Sequence, residues 1–288
     1  MSGNGRGIAL MCLTMFALAV QDGFSRHLAA QYDVTMVVML RYWFFAVLAV
    51  AIAWRRGVLR HAWATPRPGL QFARAAILAL EIVVLVWAFV ALGLTESHAI
   101  FALCPLLVAA LSVPLLGERV GPARWAAIGA GFAGVLVILM PDGGVFSPLA
   151  LVPLGAAFLF ALYAVLTRLA SRTDTALTSF VWTGVVGAVL LAPFGLAAWE
   201  PMTPADWGWM AGLCIIAAAA QWLFILTYEA AEASAVQPFA YLQLVFAAAI
   251  GVTVFDEVLR PNVAVGASIV IAAGLFALWR ARQATAAR

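Results

Sequence analysis

Apolar residues in this chain do not alternate with polar ones. They run in blocks of about twenty, broken by arginines, prolines, glycines and acids. A helix needs about 20 apolar residues to cross a bilayer, and the breaks delimit ten such blocks. They are 7–29, 34–54, 71–93, 98–116, 122–140, 149–170, 176–198, 207–228, 235–255 and 262–280. The clear breaks are Arg55 to Pro68, Pro141 to Pro148 and Trp199 to Asp206, and the shortest is Thr95-Glu96-Ser97-His98. With connections of a few residues each, no soluble domain is left to place. The pattern predicts an all-α integral membrane protein of ten transmembrane helices.

The blocks also repeat. Phe16-Ala17-Leu18 recurs as Phe160-Ala161-Leu162, and Trp87-x-Phe89 as Trp222-x-Phe224. Glu118 followed by Pro122 recurs as Glu257 followed by Pro261. Five crossings start and finish on opposite sides, so a second copy enters the membrane upside down. The expected domains are therefore 1–144 and 145–288, two inverted five-helix repeats around a central cavity, an architecture common among secondary transporters. Pro122 and Pro261 suit the first turns of the fifth and tenth helices. Glu118 and Glu257 are then expected to cap the positive ends of those helices.

Composition agrees. The chain is 66% hydrophobic and 10% charged, with a mean hydropathy of +1.04, against roughly 25% charged residues in a soluble domain. That excludes a soluble fold, and a disordered chain with it. The sequence pI is near 9, but the positive charge forms no stripe with aromatics between, so nucleic acid is not an expected partner. All sixteen basic residues are arginine, which excludes lysine chemistry. Cys12, Cys104 and Cys214 lie in separate apolar runs without metal or disulfide spacing, so no metal and no cofactor is expected.

Placing the N-terminus in the cytoplasm puts Arg6, Arg55, Arg56, Arg60, Arg67, Arg74, Arg119, Arg124, Arg168, Arg172, Arg280, Arg282 and Arg288 inside. Arg26 and Arg260 fall outside, and Arg41 lies within a span. By the positive-inside rule this predicts a plasma (inner) membrane protein with both termini cytoplasmic. Trp54, Trp63, Trp125 and Trp279 then mark inner interfaces, and Trp199, Trp207 and Trp209 an outer one. Ala17-Leu18-Ala19 after Arg6 imitates a signal-peptide cleavage site. Cleavage there would leave nine spans, out of register with the arginines.

Charged groups inside a span are costly and point to a pathway or a partner. Asp22, Arg41 and Glu81 are such groups. Their similar depth allows an Asp22–Arg41 or a Glu81–Arg41 pair. Two acids competing for one arginine leave an acid over, and Glu81 is expected to face the cavity, binding a substrate amine or carrying a coupling proton. Arg41 is the deep donor for a substrate carboxylate. Neutral polar stripes add candidates: Gln221 with Tyr228, Gln237 with Tyr241, Tyr163 with Thr167, and Ser179 with Trp182 and Thr183. Such stripes either line a cavity or hydrogen-bond helix to helix. Trp87 and Trp222 match in the repeat and could flank an aromatic ligand, or pack in the core or against lipid. His98, near the end of the fourth span, is an interfacial residue or a proton relay.

The sequence resembles the EamA-type, ten-helix branch of the drug/metabolite transporter superfamily over nearly its whole length. In the first half the resemblance rests on Ala91-Leu92, Ala99, Pro105, Gly117-Glu118-Arg119, Gly129 and Gly134-Val135. In the second it rests on Ala235-Val236, Pro238, Tyr241-Leu242, Glu257, Gly266 and Gly274-Leu275, with Asp256 where the family more often has glycine. It implies a basket of helices around a central cavity, with the fifth and tenth peripheral, moving small metabolites without ATP. Within the branch the chain looks most like bacterial exporters of aromatic and other neutral amino acids. Drug-like or nucleoside-like metabolites are the alternative cargo. A membrane-embedded enzyme would need clustered chemistry such as H-E-x-x-H, and the three histidines are scattered.

Overall fold

A computed structural model describes residues 3–117, 122–139, 148–231, 236 and 239–286, which are helical apart from short connections. The helices are α1 (Gly3–Ala29), α2 (Val34–Arg55), a short α3 (Leu59–Trp63), α4 (Pro68–Leu92), α5 (Leu94–Phe101), α6 (Cys104–Leu116) and α7 (Pro122–Leu139). After a 3-10 turn at Pro148–Ala150 come α8 (Leu151–Ala170), α9 (Ala176–Ala197), α10 (Pro204–Ala230), α11 (Leu242–Phe255) and α12 (Pro261–Ala286). Among the described residues, seven stretches are long and apolar enough to cross a membrane; Leu242–Phe255 and Pro261–Ala273 are shorter apolar helices. This is a multi-pass membrane protein.

Local chemistry explains the boundaries. The Asp33 side chain accepts from the Thr35 N–H at the start of α2, 2.7 Å away, and Thr175 does the same for Thr178 in α9. Pro68, Pro105 and Pro204 occupy first-turn positions, where a missing N–H costs nothing. Two expected spans are not continuous. The fourth divides into α5 and α6 at Ala102–Leu103, just before Pro105, and the ninth turns at Tyr241 before α11 begins. The expected capping by Glu118, and the stripe through Gln237 and Pro238, fall outside the described residues.

Packing joins the two halves helix by helix. α1 lies on α10 as α4 lies on α8; α6 lies on α8 as α11 lies on α1; α4 lies on α9 as α10 lies on α2. Of the remaining large pairs, α2 with α9 and α7 with α12 each join a helix to the one at the matching place in the other half, and α5 packs on α11. Small residues allow the closest of these approaches. A side chain on Gly187 of α9 would collide with the Tyr42 ring of α2, and a Cβ on Gly134 of α7 would sit 2.9 Å from the Gly266 carbonyl of α12.

Helix ends meet on two opposite faces. On one, Tyr32 donates to Asp206 at 2.8 Å and the Asp33 N–H to Glu200 at 3.0 Å, and Arg26 pairs with Glu257. On the other, Thr65 donates to Asp174 at 2.8 Å, Arg172 to the Leu116 carbonyl at 3.2 Å and Arg168 to the Tyr228 carbonyl at 3.1 Å. They are called here the Glu257 face and the Asp174 face.

Candidate functional site

Between the halves lies a closed cavity bounded by α1 (Met11, Met15), α5 (His98, Phe101), α6 (Cys104, Pro105, Val108), α8 (Phe160), α10 (Tyr228) and the turn into α11 (Tyr241, Gln243, Leu244). Its volume is about 20 Å³, room for roughly one water. Where a wide central cavity was expected, aromatic side chains leave only this small space. Phe160 meets Phe101 and Phe224 at 5.4 and 5.2 Å between ring centroids, and Phe224 meets Tyr228 at 4.8 Å.

One wall is polar. His98, Tyr241 and Gln243 form it, and in contact with His98 and Gln243 lies Asp22 of α1, 4% exposed. Its Oδ1 accepts from Gln21 Nε2 and its Oδ2 from Gln243 Nε2, each at 3.1 Å, and His98 Nε2 lies 3.1 Å from the same Oδ2. The His98 approach is in ion-pair range without the alignment of a hydrogen bond, and the ring stacks on Phe89 at 5.1 Å. The Tyr241 hydroxyl, Gln21 Oε1 and one Glu81 oxygen are buried without hydrogen-bond partners. Of these, Tyr241 lines the cavity, while Gln21 and Glu81 do not; a buried polar group without a partner marks where water or a ligand is accommodated.

The expected pairing of Arg41 is corrected. Neither Asp22 nor Glu81 forms an ion pair with it within 4 Å; Asp22 goes to His98 and the two glutamines. Arg41 and Glu81 are nonetheless 7% and 2% exposed and lie in each other's field and in that of Asp22. Neither lines the cavity. His98, expected near an interface, is 1% exposed and lines it, because the break after Phe101 turns α5 inward.

A second polar centre, missed in the sequence, lies toward the Asp174 face. Arg74, counted above among surface arginines, is fully buried on α4. Its five N–H groups are spent on neutral acceptors: Gln71 Oε1 (2.9 Å), the Tyr163 hydroxyl (3.3 Å), the Thr167 hydroxyl (3.1 Å), the Ser179 carbonyl (2.5 Å) and the Thr183 hydroxyl (2.5 Å). Gln71 continues to Asp174 at 2.8 Å, and Gln221 donates to Tyr163. The candidates Tyr163 and Gln221 thus belong to a clasp joining α4 to α8, α9 and α10. The one signal for it was Gln71 three residues before Arg74, inside an apolar span.

The remaining candidates lie elsewhere. Trp87 is 45% exposed on the outside of α4. Trp222 packs edge-on against Phe180 at 5.1 Å. The Trp182 indole donates to the Trp63 carbonyl at 3.4 Å. The structure does not bring these three to the cavity, although Tyr241 is there.

At the Glu257 face a third feature was read differently. Glu257 caps α5, not the helix that follows it. Its Oε1 accepts from the Leu94 N–H at 2.7 Å, its Oε2 from the Thr95 N–H at 2.8 Å, and Arg26 pairs with it. Burial pushes this carboxyl up, but the contacts with Thr95, Leu94 and Arg26 outweigh it and hold the group below the usual carboxylate range. Beside it opens a cavity of about 310 Å³ lined by Arg26, Thr95, Glu96, Glu257 and Arg260 among others. Among the described residues no cluster of metal-ligating side chains occurs.

Known proteins share this design. A solved crystal structure superposes with a TM-score of 0.70, covering 98% of each chain at 19% identity, which shows a shared fold. A riboflavin transporter of Vibrio cholerae is 28% identical over 92% of this chain and 90% of its own length. A riboflavin transporter of Rhizobium johnstonii is 32% identical over 74% and 70%. An S-adenosylmethionine uptake transporter of Rickettsia prowazekii is 23% identical over 98% and 95%. None of these three carries the name of an amino-acid exporter. Residues 5–140 and 148–279 match the EamA-like transporter family, and the chain, a membrane transporter, belongs to it.

Proposed function

We propose that this transporter is a secondary carrier for a small heteroaromatic metabolite of the flavin or nucleoside kind. It would bind its cargo at the His98–Tyr241–Gln243 wall, with Asp22 holding His98 and Gln243, and work by alternating access. The observation that carries this reading is the cavity itself: unsatisfied polar groups on one side, Phe101, Phe160 and Tyr228 on the other. A flat ring system with donors and acceptors along one edge suits such walls, since a good aromatic pair contributes about 0.5–1.5 kcal/mol and the polar edge supplies orientation. The names of the relatives point the same way, riboflavin and S-adenosylmethionine both carrying heteroaromatic rings. They lend no support to export of aromatic amino acids.

Ten crossings, an inverted repeat and cytoplasmic termini belong to the same proposal. The pairing pattern supports the repeat, since exchanging each helix for its counterpart turns α1–α10 into α8–α4, α6–α8 into α11–α1 and α4–α9 into α10–α2. Parity supplies the inversion, and the arginines supply the orientation, with the Glu257 face outside. Glu81 is proposed to exchange a coupling proton: a flavin has no amine for it to hold, and the carboxyl is buried with one oxygen unbonded. Inner-membrane placement follows from the bacterial relatives.

Counterflow in proteoliposomes tests the reading, with labelled riboflavin, S-adenosylmethionine, phenylalanine, tryptophan, methionine and threonine, each with and without a pH gradient. Saturable riboflavin counterflow that is lost in Asp22→Asn is the expected result. Counterflow confined to amino acids would overturn the substrate assignment.

A further inference from the structure

We infer that Glu257 is a positioning residue for transport: by holding the N-terminus of α5 it keeps His98 and Phe101 against the cavity, and releasing it opens the cavity toward the Glu257 face. The inference rests on reading that cavity as the transport site.

α5 is eight residues long, preceded by Gly93 at φ +88° and followed by the break at Ala102–Leu103. A short rigid segment with a pivot at each end moves as a unit. No side chain of its own caps its first turn, so its unpaired N–H groups need an outside acceptor. The acceptor is the Glu257 carboxylate, delivered from the other half of the chain and steadied by Arg26 of α1, whose guanidinium also lies 4.2 Å from the centre of the Phe255 ring. One carboxylate therefore ties together α1, α5 and the link between α11 and α12.

The far end of the same segment forms the cavity wall. His98 lies one turn beyond the clasped residues, facing Asp22, and Phe101 one turn further. Gly93 fits this arrangement twice over. Its φ is in the left-handed region, and a Cβ there would stand 2.7 Å from Glu257 Oε1. The 310 Å³ cavity beside the clasp is the space into which α5 can move. A centre with room for one water admits a metabolite only after such a movement.

Charge supplies a control. The charged groups facing Glu257 are Arg26 from α1, with Glu96 of α5 and Arg260 flanking it as a pair 3.6 Å apart. Glu257 titrates lower in the clasp than when free, so the clasp is at full strength above the free value of about 4.3. It weakens as pH falls through the lowered one.

Cys104 lines the cavity and is 5% exposed, which makes it a native reporter. The test uses full-length protein in proteoliposomes, with Cys12→Ser and Cys214→Ser in the background, and a membrane-impermeant maleimide supplied on one face at a time. In Glu257→Gln, labelling of Cys104 from the Glu257 face is expected to rise roughly tenfold or more, as for loss of a charge-assisted hydrogen bond. It should stay slow from the Asp174 face, and Glu257→Asp should restore part of the protection. Should Glu257→Gln fail to fold, Arg26→Gln and acidification of the parent on the Glu257 face apply the same release. Unchanged labelling in the folded variant or on acidification, or an equal rise from both faces, would overturn the inference. Labelling needs no substrate, so an error in the assigned cargo shows in counterflow alone.

Discussion

At the scale of single residues, the costs of burial identify what matters. Arg74 has no carboxylate within ion-pair reach among the described residues, yet each of its N–H groups finds an acceptor on α4, α8 or α9. Lysine cannot reproduce that planar fork. Arg74→Lys is expected to lower stability by roughly 3 kcal/mol or more, since at least two charge-assisted bonds worth about 1.5 kcal/mol each are lost. A fall in the melting temperature in detergent would show it, and an unchanged one would contradict it. Asp22→Asn should lower transport at least about tenfold, because the charge facing His98 is lost and the amide keeps an acceptor oxygen for one of the two glutamines instead of both. Glu81→Gln should flatten the pH dependence of flux; a retained profile would remove the proton role. Which of these partners the sequence reveals depends on geometry. Counting about 1.5 Å per residue gave depth, but not the direction around the helix axis, so Asp22 was matched to Arg41 when it faces His98.

The scale of elements shows where hydropathy succeeds and where it fails. Among the described residues the blocks fall on helices, seven stretches of them long and apolar enough to cross a membrane, because twenty apolar residues between arginines and prolines leave few alternatives. The breaks at Ala102–Leu103 and Tyr241 were illegible, since the residues at a break in an apolar span are themselves apolar; only Pro105 hinted at the first. Glu257 was recognised as a cap from its spacing to Pro261, but sequence proximity named the wrong helix. The α2–α9 seam yields a test at this scale. Gly184 and Gly187 allow the two helices to meet at Ala46 and Tyr42. Gly187→Leu should cost about 1–3 kcal/mol by overpacking and reduce flux with it. Gly93→Ala should weaken the cap on α5 without touching that seam, which cysteine labelling separates from a general loss of stability.

For the molecule as a whole, the repeat was the most informative part of the sequence. Three short matches in register predict two halves, and the family matches the chain in two stretches, residues 5–140 and 148–279. Hydropathy carries no information about how open the centre is, which is why a hollow was expected and a small cavity of about 20 Å³ found. Side chains close both approaches: the Arg74 clasp toward the Asp174 face and the Glu257 clasp toward the other. The proposed alternating access requires these two approaches to open in turn. Distances between spin labels test this most directly, with one pair at Ala30→Cys and Val258→Cys across the Glu257 face, and a second at His61→Cys and Arg172→Cys across the Asp174 face. Both pairs would be measured with and without substrate in lipid. The account predicts opposed changes, one pair lengthening only in the population where the other stays short. Both pairs lengthening together, or neither responding to any transported compound, would contradict it.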